Sequence, residues 1–259
     1  MLSHQEMEET MQLIPYVRYG SWTEKGRRSE NQDSLLIHLD PLVASFAVAD
    51  GAGGHQFGKQ ASELTVSAIK SELASNTDYT PDYFQLLFKK KYEQINSYLF
   101  QESQKRNVIM ATTLSMIHIF ANELIVSNVG DTLIYRLRNG ILERLSAIHT
   151  VAWTEYEQGK LTKEELQHHP SQHVLTKAIG AKDTIEPYYE TLKTNKRDIY
   201  LLCSDGVTNF ITEDRLKQLF HQLKQFTNEE LTELCSTCVH EALTNDGNDN
   251  ATMIAIQIV

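Results

Sequence analysis

The stretch Phe46-Ala47-Val48-Ala49-Asp50-Gly51-Ala52-Gly53-Gly54-His55 places one acid between an apolar run and a glycine-rich segment. The run from Val43 to Val48 has the composition of a buried β-strand. The glycines that follow let the backbone adopt positive φ and let a ligand approach closely. The stretch therefore predicts a strand that delivers the Asp50 carboxylate to a sheet edge. Taken alone, it fits a plain strand-turn-helix connection equally well.

The same arrangement of an acid beside turn residues recurs along the chain. Acids stand at five predicted strand ends: Asp33, Asp50, Asp131, Asp205 and Asp249. Two carboxylates about 4 Å apart repel by roughly 4 kcal/mol at an effective dielectric constant of about 20. If antiparallel strands bring these ends to one rim, Mg²⁺ or Mn²⁺ ions would neutralise them. Local hydrogen bonding explains any single aspartate of this kind, but the recurrence favours a metal site.

Two neighbouring features leave alternatives open. Residues 246–250 superficially resemble a calcium loop, although they lack the glutamate at its twelfth position. Arg28 precedes Asp33 by five residues, and its planar guanidinium can bind phosphate oxygens through two hydrogen bonds. A loop arginine is equally a solvated surface charge, and composition does not choose between these two roles.

The order of strand and helix patterns predicts an α+β fold. Groups of strand patterns alternate with pairs of helical patterns. The strand patterns lie at residues 16–23, 34–39, 43–49, 111–145, 188–203 and 252–259. The helical patterns lie at residues 58–73 and 80–102, and two more begin at Thr212 and Thr227. Asn139-Gly140 is a strong hairpin signal, so residues 111–145 form an antiparallel meander. We expect a central sandwich of two antiparallel β-sheets flanked by pairs of α-helices, in α-β-β-α layers.

The chain is expected to fold as one main domain. We assign residues 1–15 to an N-terminal leader and residues 16–259 to a single domain. The segment at about 148–187 is polar and irregular, with short helical pieces. It is long for a connection inside a compact domain, which is typical of a functional loop or flap.

Composition excludes several classes of protein. The 259 residues carry a formal net charge of -10, which disfavours nucleic acid and anionic membranes as partners. No apolar run approaches the ~20 residues that span a bilayer, and the acidic N-terminal segment is not a secretory signal. Three cysteines, an odd number, fit a reducing compartment. We therefore expect a soluble, monomeric, cytoplasmic protein.

Seven motifs in sequence order resemble the metal-dependent protein serine/threonine phosphatases of the PPM type (type 2C), and their bacterial members in particular. They are Arg28-x-x-Asn31-Gln32-Asp33, Val48-Ala49-Asp50-Gly51-x-Gly53-Gly54-His55, Ala111-Thr112-Thr113-Leu114, Asn128-Val129-Gly130-Asp131, Leu175-Thr176-Lys177-Ala178-Ile179-Gly180, Leu202-Cys203-Ser204-Asp205-Gly206 and Asp249-Asn250-Ala251-Thr252. The resemblance covers nearly all of residues 20–259.

The resemblance implies a binuclear Mn²⁺ or Mg²⁺ centre at one end of the sandwich. Asp50 would bridge the two ions, and the Gly51 carbonyl would complete one site. Asp205 and Asp249 would ligate the other ion. Two further acids would contribute less directly: Asp33 mostly through bound water, and Asp131, with Asp205, to a weaker third metal site.

The resemblance also implies the reaction. A metal-activated water would attack phosphorus in line with the departing serine or threonine oxygen, while Arg28 holds the phosphoryl oxygens. Ala52 stands where eukaryotic members have the histidine proposed as general acid. His55 is therefore the candidate donor to the leaving group, and a structural or substrate-orienting role is the alternative.

Two groups of residues are predicted to lie outside the site. Cys235 and Cys238 form a CxxC pair within a helical pattern, which favours buried helix cysteines over a redox or zinc site. His168, His169 and His173 have no ligand-like acids near them and are interpreted as surface residues.

The primary hypothesis is a phosphatase whose substrates are proteins phosphorylated by a bacterial serine/threonine kinase. The alternatives are a catalytically silent relative that binds phosphoprotein and a hydrolase for a small phosphorylated metabolite.

Overall fold

The computed structural model describes residues 16–52, 56–76, 80–221, 225–245 and 247–259. The leader predicted at residues 1–15 and the candidate His55 lie outside these described residues. The strands are β1 (Val17–Glu24), β2 (Asp33–Leu39), β3 (Ala44–Ala52), β4 (Ala111–Thr112), β5 (Leu114–Ile119), β6 (Glu123–Val129), β7 (Leu133–Arg138), β8 (Ile141–Arg144), β9 (Tyr188–Lys193), β10 (Ile199–Cys203) and β11 (Ala251–Ile258). The helices are α1 (Gln56–Ser75), α2 (Pro81–Arg106), α3 (Val151–Glu157), α4 (Lys163–Gln167), α5 (Asp205–Thr208), α6 (Glu213–Phe220) and α7 (Asn228–Thr244).

The strands form two sheets. One has the order β1-β11-β10-β7-β8, and the other has the order β2-β3-β5-β6-β9, with β4 paired to β3. The strand pairs of both sheets are antiparallel. This arrangement confirms the predicted α+β class and the two antiparallel sheets.

Alternate side chains of each strand enter different apolar layers, because successive residues of a strand point to opposite faces. On β3, Phe46 packs between the sheets with Tyr200 and Ile254. Its neighbour Ala47 packs on the other side, beneath Ile69 of α1. The sheet that contains β7, β10 and β11 buries its outer face against α6 and α7. The result is the predicted α-β-β-α layering.

Local sequence signals account for several helix boundaries. Thr227 caps α7 through a capping box with Glu230, as the spacing of these two residues predicts. A second capping box, Thr162 with Glu165, begins α4. Cys235 and Cys238 of α7 are buried and free, which confirms their interpretation as core residues.

The connection from β8 to β9 carries two short helices, α3 and α4, as the sequence predicts. An isolated β-bridge between Thr150 and Leu175 ties its two ends together. None of the helices in the described parts of the chain is long and apolar enough to cross a membrane.

Candidate metal centre

The antiparallel sheets bring the predicted acids to one end of the sandwich. Asp33 begins β2 and is the register partner of Asp50 on β3. Asp205 follows the last residue of β10, and Asp249 precedes the first residue of β11. Asp131 lies between β6 and β7. The strand ends therefore meet as the sequence predicts.

A cavity of about 460 Å³ opens between these strand ends. The residues that line it are Arg28, Ser29, Glu30, Gln32, Asp50, Gly51, Ala52, Thr113, Asp131, His173, Leu175, Asp205, Asp249 and Asn250. Asp33 does not line the cavity. It stands beside Asp50 on the neighbouring strand, is 9% exposed, and its Oδ2 accepts a hydrogen bond of 2.9 Å from Ser204 Oγ.

Gly51 has a different role from the one the sequence suggests. It continues β3 and pairs with Thr112 of β4 rather than forming a turn, and it is not among the described glycines with positive φ. A Cβ at Gly51 would lie 2.3 Å from the Gly58 carbonyl oxygen. Glycine is required because the start of α1 packs directly on the strand that carries Asp50.

Asp205 also departs from the predicted turn, because it is the first residue of the short helix α5. A Cβ at Gly206 would lie 1.9 Å from the Asn250 carbonyl oxygen. The contact brings the α5 backbone against the chain segment that carries Asp249. The acid-glycine pairs of the sequence thus allow close backbone approach at two places in the site.

Asn250 fixes the loop of residues 25–32, which carries Arg28 and is called the arginine loop here, to the same end of the sandwich. Its side-chain oxygen accepts from Gln32 N at 2.9 Å, and its Nδ2 donates to Lys25 O at 2.8 Å and to Glu30 O at 2.9 Å. Asn250 is 4% exposed. The sequence motif includes this residue, but its role as a clamp appears only in the fold.

Arg28 is held at the cavity rim by residues 248 and 249, which precede β11. Its Nη2 lies 2.7 Å from Asp249 Oδ2, and its Nε donates to Asn248 O at 3.0 Å. The side chain remains 57% exposed. The arginine and the acids are therefore parts of one site.

Burial and mutual repulsion hold protons on the acids. Burial raises the pKa of Asp33 to about 7, hydrogen bonds from Thr252 and Ser204 oppose the rise, and the Asp205 and Asp249 carboxylates add to it. The cost of removing a carboxylate from water is the dominant cause.

The remaining buried acids follow the same pattern. Burial, with repulsion from Asp205, raises the pKa of Asp131 to about 8. Burial is also the largest cause that raises the pKa of Asp50, followed by repulsion from Asp33. The pKa of Asp205 rises through burial and then through repulsion from Asp249. A positive counter-charge would favour the ionised form of each of these groups.

The donor set fits hard divalent cations. Asp33 Oδ1 and Asp205 Oδ1 are buried and have no hydrogen-bond partner within the described ranges. Carboxylate oxygens are the ligands that Mg²⁺ and Mn²⁺ prefer. In the described part of the chain, no three His, Cys, Asp or Glu side chains already form an ion-binding group, and the Asp249 carboxylate is turned toward Arg28. We infer that Asp249 must rotate from Arg28 to complete the set.

Comparison with known families decides the class of protein. The family described as protein phosphatase 2C matches residues 25–244 of this chain. The chain belongs to the protein phosphatase 2C family. The matched range contains six of the seven motifs, and the last motif, at residues 249–252, lies beyond it.

Similar proteins include bacterial serine/threonine phosphatases. The serine/threonine phosphatase stp of Listeria monocytogenes is 28% identical over 243 residues, which cover 91% of this chain and 93% of that protein. The Streptococcus agalactiae serine/threonine phosphatase structure has a TM-score of 0.88 at 27% identity, covering 94% of this chain and all of that one. The catalytic domain of PstP, solved with two manganese ions, has a TM-score of 0.80 at 25% identity, covering 94% and 98% of the two chains.

One expectation about this phosphatase-family chain is wrong. His173 is exposed, as predicted, but it lines the cavity together with Asp205 and Asp249. The expectation that it has no acids nearby fails because the β8–β9 connection folds back over the strand ends. Its spacing of two residues from Leu175, at the start of a recognised motif, is the sequence signal that could have indicated it.

Metal binding to this site should depend on pH. Groups with pKa values of about 7 and about 8, Asp33 and Asp131, hold protons at pH 6 that a cation must displace. We expect Mn²⁺ affinity to fall about tenfold or more from pH 8 to pH 6, with proton release on binding. Calorimetry in buffers of different ionisation enthalpy measures both quantities. Affinity that is constant over this range would contradict the assignment.

Loss of the Asn250 clamp should loosen the arginine loop. Asn250→Ala leaves two carbonyl groups and one N–H without their partner, so we expect a loss of about 2–3 kcal/mol in unfolding free energy. Chemical denaturation measures this loss. Asn248→Ala is the matched control, because within the described residues its side chain bonds only the exposed Arg27, and its expected effect is about 0.5 kcal/mol or less. Equal effects for the two variants would refute the clamp.

Proposed function

We propose that this protein is a metal-dependent phosphatase that hydrolyses phosphoserine and phosphothreonine in proteins with two or three Mn²⁺ or Mg²⁺ ions. The observation that carries the proposal is a set of partly buried, mutually repelling carboxylates in one cavity with an exposed arginine at its rim. Membership of the protein phosphatase 2C family supports the same reaction.

The residues that would hold the ions are those of the cavity floor. Asp50 would contact both principal ions, the Gly51 carbonyl one of them, and Asp205 and Asp249 the other. Asp131 would join Asp205 at a third, weaker site. Asp33, the partner of Asp50 on the neighbouring strand, does not line the cavity and would act through water. When bound, divalent ions polarise phosphoryl oxygens and lower the pKa of water to near neutrality.

Arg28 would bind the substrate phosphate. Its guanidinium presents a planar fork that matches two phosphate oxygens. The same guanidinium is paired with Asp249 here. If Asp249 turned from Arg28 to a bound cation, Arg28 would be free for the phosphate, and ion binding and phosphate binding would support each other.

The finer assignments rest on the same site. We propose that residues 148–187 form a flap, since His173 and Leu175 from this connection line the cavity. We also propose a cytoplasmic monomer whose substrates are phosphorylated by a bacterial-type serine/threonine kinase. His55 stays a sequence-based candidate for the leaving-group donor.

The test is hydrolysis of a phosphoserine peptide, a phosphothreonine peptide and p-nitrophenyl phosphate with added Mn²⁺ and then with excess EDTA. We expect turnover of all three substrates that EDTA abolishes. Sugar phosphates and nucleotides are assayed as substrates to test the alternative of a metabolite hydrolase. They should be hydrolysed more slowly than the phosphopeptides. Phosphopeptide binding without turnover would contradict the proposal and support a silent binding protein.

A further inference from the structure

His173 is held against the metal-site acids by a fixed backbone. Two hydrogen bonds just after His173 tie its segment to the start of α3: Val151 N donates to Val174 O at 2.8 Å, and Thr176 N donates to His149 O at 2.8 Å. His173 and Leu175 line the cavity, while the intervening Val174 is 49% exposed. His173 ends a turn in which Val174 N donates to Ser171 O at 3.2 Å, and Leu175 then bridges to Thr150.

A chain of hydrogen bonds links the imidazole to the cavity floor. Asn209 Nδ2 donates to Asp205 Oδ2 at 3.3 Å. The same Nδ2 lies 3.3 Å from His173 Nδ1. An amide nitrogen carries two N–H groups and no acceptor lone pair, so Nδ2 is the donor in both contacts. The second of those N–H groups then points to His173 Nδ1.

These hydrogen bonds determine which nitrogen of the neutral His173 imidazole carries the proton. Because Nδ1 accepts from Asn209, the ring N–H is on Nε2. His173 Nε2 lies 2.9 Å from the amide nitrogen of Gln172, so the Gln172 amide has to turn end for end before its carbonyl oxygen can accept this proton. Gln172 is a neighbour on the same surface segment, so an acceptor on a bound molecule can replace it.

We propose that His173 is a specificity-determining residue that donates its Nε2–H to a main-chain carbonyl of the bound phosphopeptide. The inference rests on the proposed phosphatase function. The phosphoryl group must reach the buried acids of the floor, whereas His173 is exposed at the rim and its backbone is fixed. The groups at the rim are those that flank the phosphorylated side chain. Carbonyl oxygens are the acceptors that every peptide supplies and that p-nitrophenyl phosphate lacks.

The experiment compares kcat/KM for a phosphothreonine peptide with kcat/KM for p-nitrophenyl phosphate, both with Mn²⁺. His173→Ala should lower the peptide-to-aryl ratio about three- to tenfold, the effect of one neutral hydrogen bond. His173→Gln retains an N–H donor and should recover part of the ratio. His168→Ala is the matched control, because His168 is exposed on the same segment and does not line the cavity. Melting temperatures verify that all variants are folded.

The outcomes separate the two claims. A ratio that is unchanged in His173→Ala, or an equal loss on both substrates, would overturn the role of His173 and leave the phosphatase function standing. A ratio that also falls in His168→Ala would overturn it too, since the whole segment would then be responsible. A wild-type protein inert toward both substrates would overturn the proposed function and this inference together.

Discussion

Asp50→Asn is expected to lower kcat for phosphopeptide hydrolysis on the order of 10³-fold, because it removes the carboxylate proposed to contact both ions. The amide keeps the shape of the side chain, so β3 and its pairing with β2 should persist. Steady-state kinetics with saturating Mn²⁺ measure the loss. Asp183→Asn, a change at an exposed acid outside the cavity, is the matched control and should retain activity.

The same variant should be more stable than the wild type in EDTA. The pKa of Asp50 is raised well above its ordinary value of 3.8 by burial and by neighbouring carboxylates. The folded protein therefore holds a proton that the unfolded chain releases, and stability falls as pH rises above about 4. Asn removes this dependence at Asp50. We expect a higher melting temperature at pH 8 without metal and a smaller rise on adding Mn²⁺. Retained activity, or a lower melting temperature in EDTA, would contradict the assignment.

Arg138→Leu is expected to lower the unfolding free energy by about 3–5 kcal/mol, because it leaves a buried carboxylate without its cation. Asp198 is 1% exposed, and Arg138 binds it through Nε at 2.7 Å and Nη2 at 2.6 Å. Tyr200 OH and Asn195 N also donate to this carboxylate. They do not replace the positive charge.

A matched control lies two residues earlier on β7. Arg136 pairs with Glu143, whose side chain is 53% exposed, so Arg136→Leu leaves a hydrated acid and should cost about 1 kcal/mol or less. Thermal unfolding should show a drop of roughly 6–20 °C for Arg138→Leu. Arg138 lies at the end of β7 away from Asp131, so activity per folded molecule should be retained. Similar losses for the two variants would show that burial of Asp198 is not the cause.

The layers and the meeting of acids were predictable because their signals are local. A capping box needs only Thr227 and Glu230, and a strand needs only its own composition. Strand ends that carry Asp50 and Asp205 meet once the sheets are antiparallel. These inferences depend on spacing within a few residues, which the sequence displays directly.

The parts that the sequence did not reveal depend on contacts between distant segments. Asn250 clamps Lys25 and Glu30, more than two hundred residues earlier. His173 enters the site through the path of a long connection. The sequence indicates turn residues at Gly51 and Gly206, yet each glycine is needed because another backbone segment packs directly against it. Such contacts follow from the assembled sandwich and have no local signature.

Crystals soaked in MnCl₂ and measured at the manganese absorption edge test the central claim most directly. We predict two strong anomalous-difference peaks within coordination distance of Asp50, one also near the Gly51 carbonyl and the other near Asp205 and Asp249, with Asp249 turned from Arg28. Crystals of Asp50→Asn should lose both peaks or weaken them greatly. A wild-type map without manganese in this cavity, while the acids remain in place, would contradict the account.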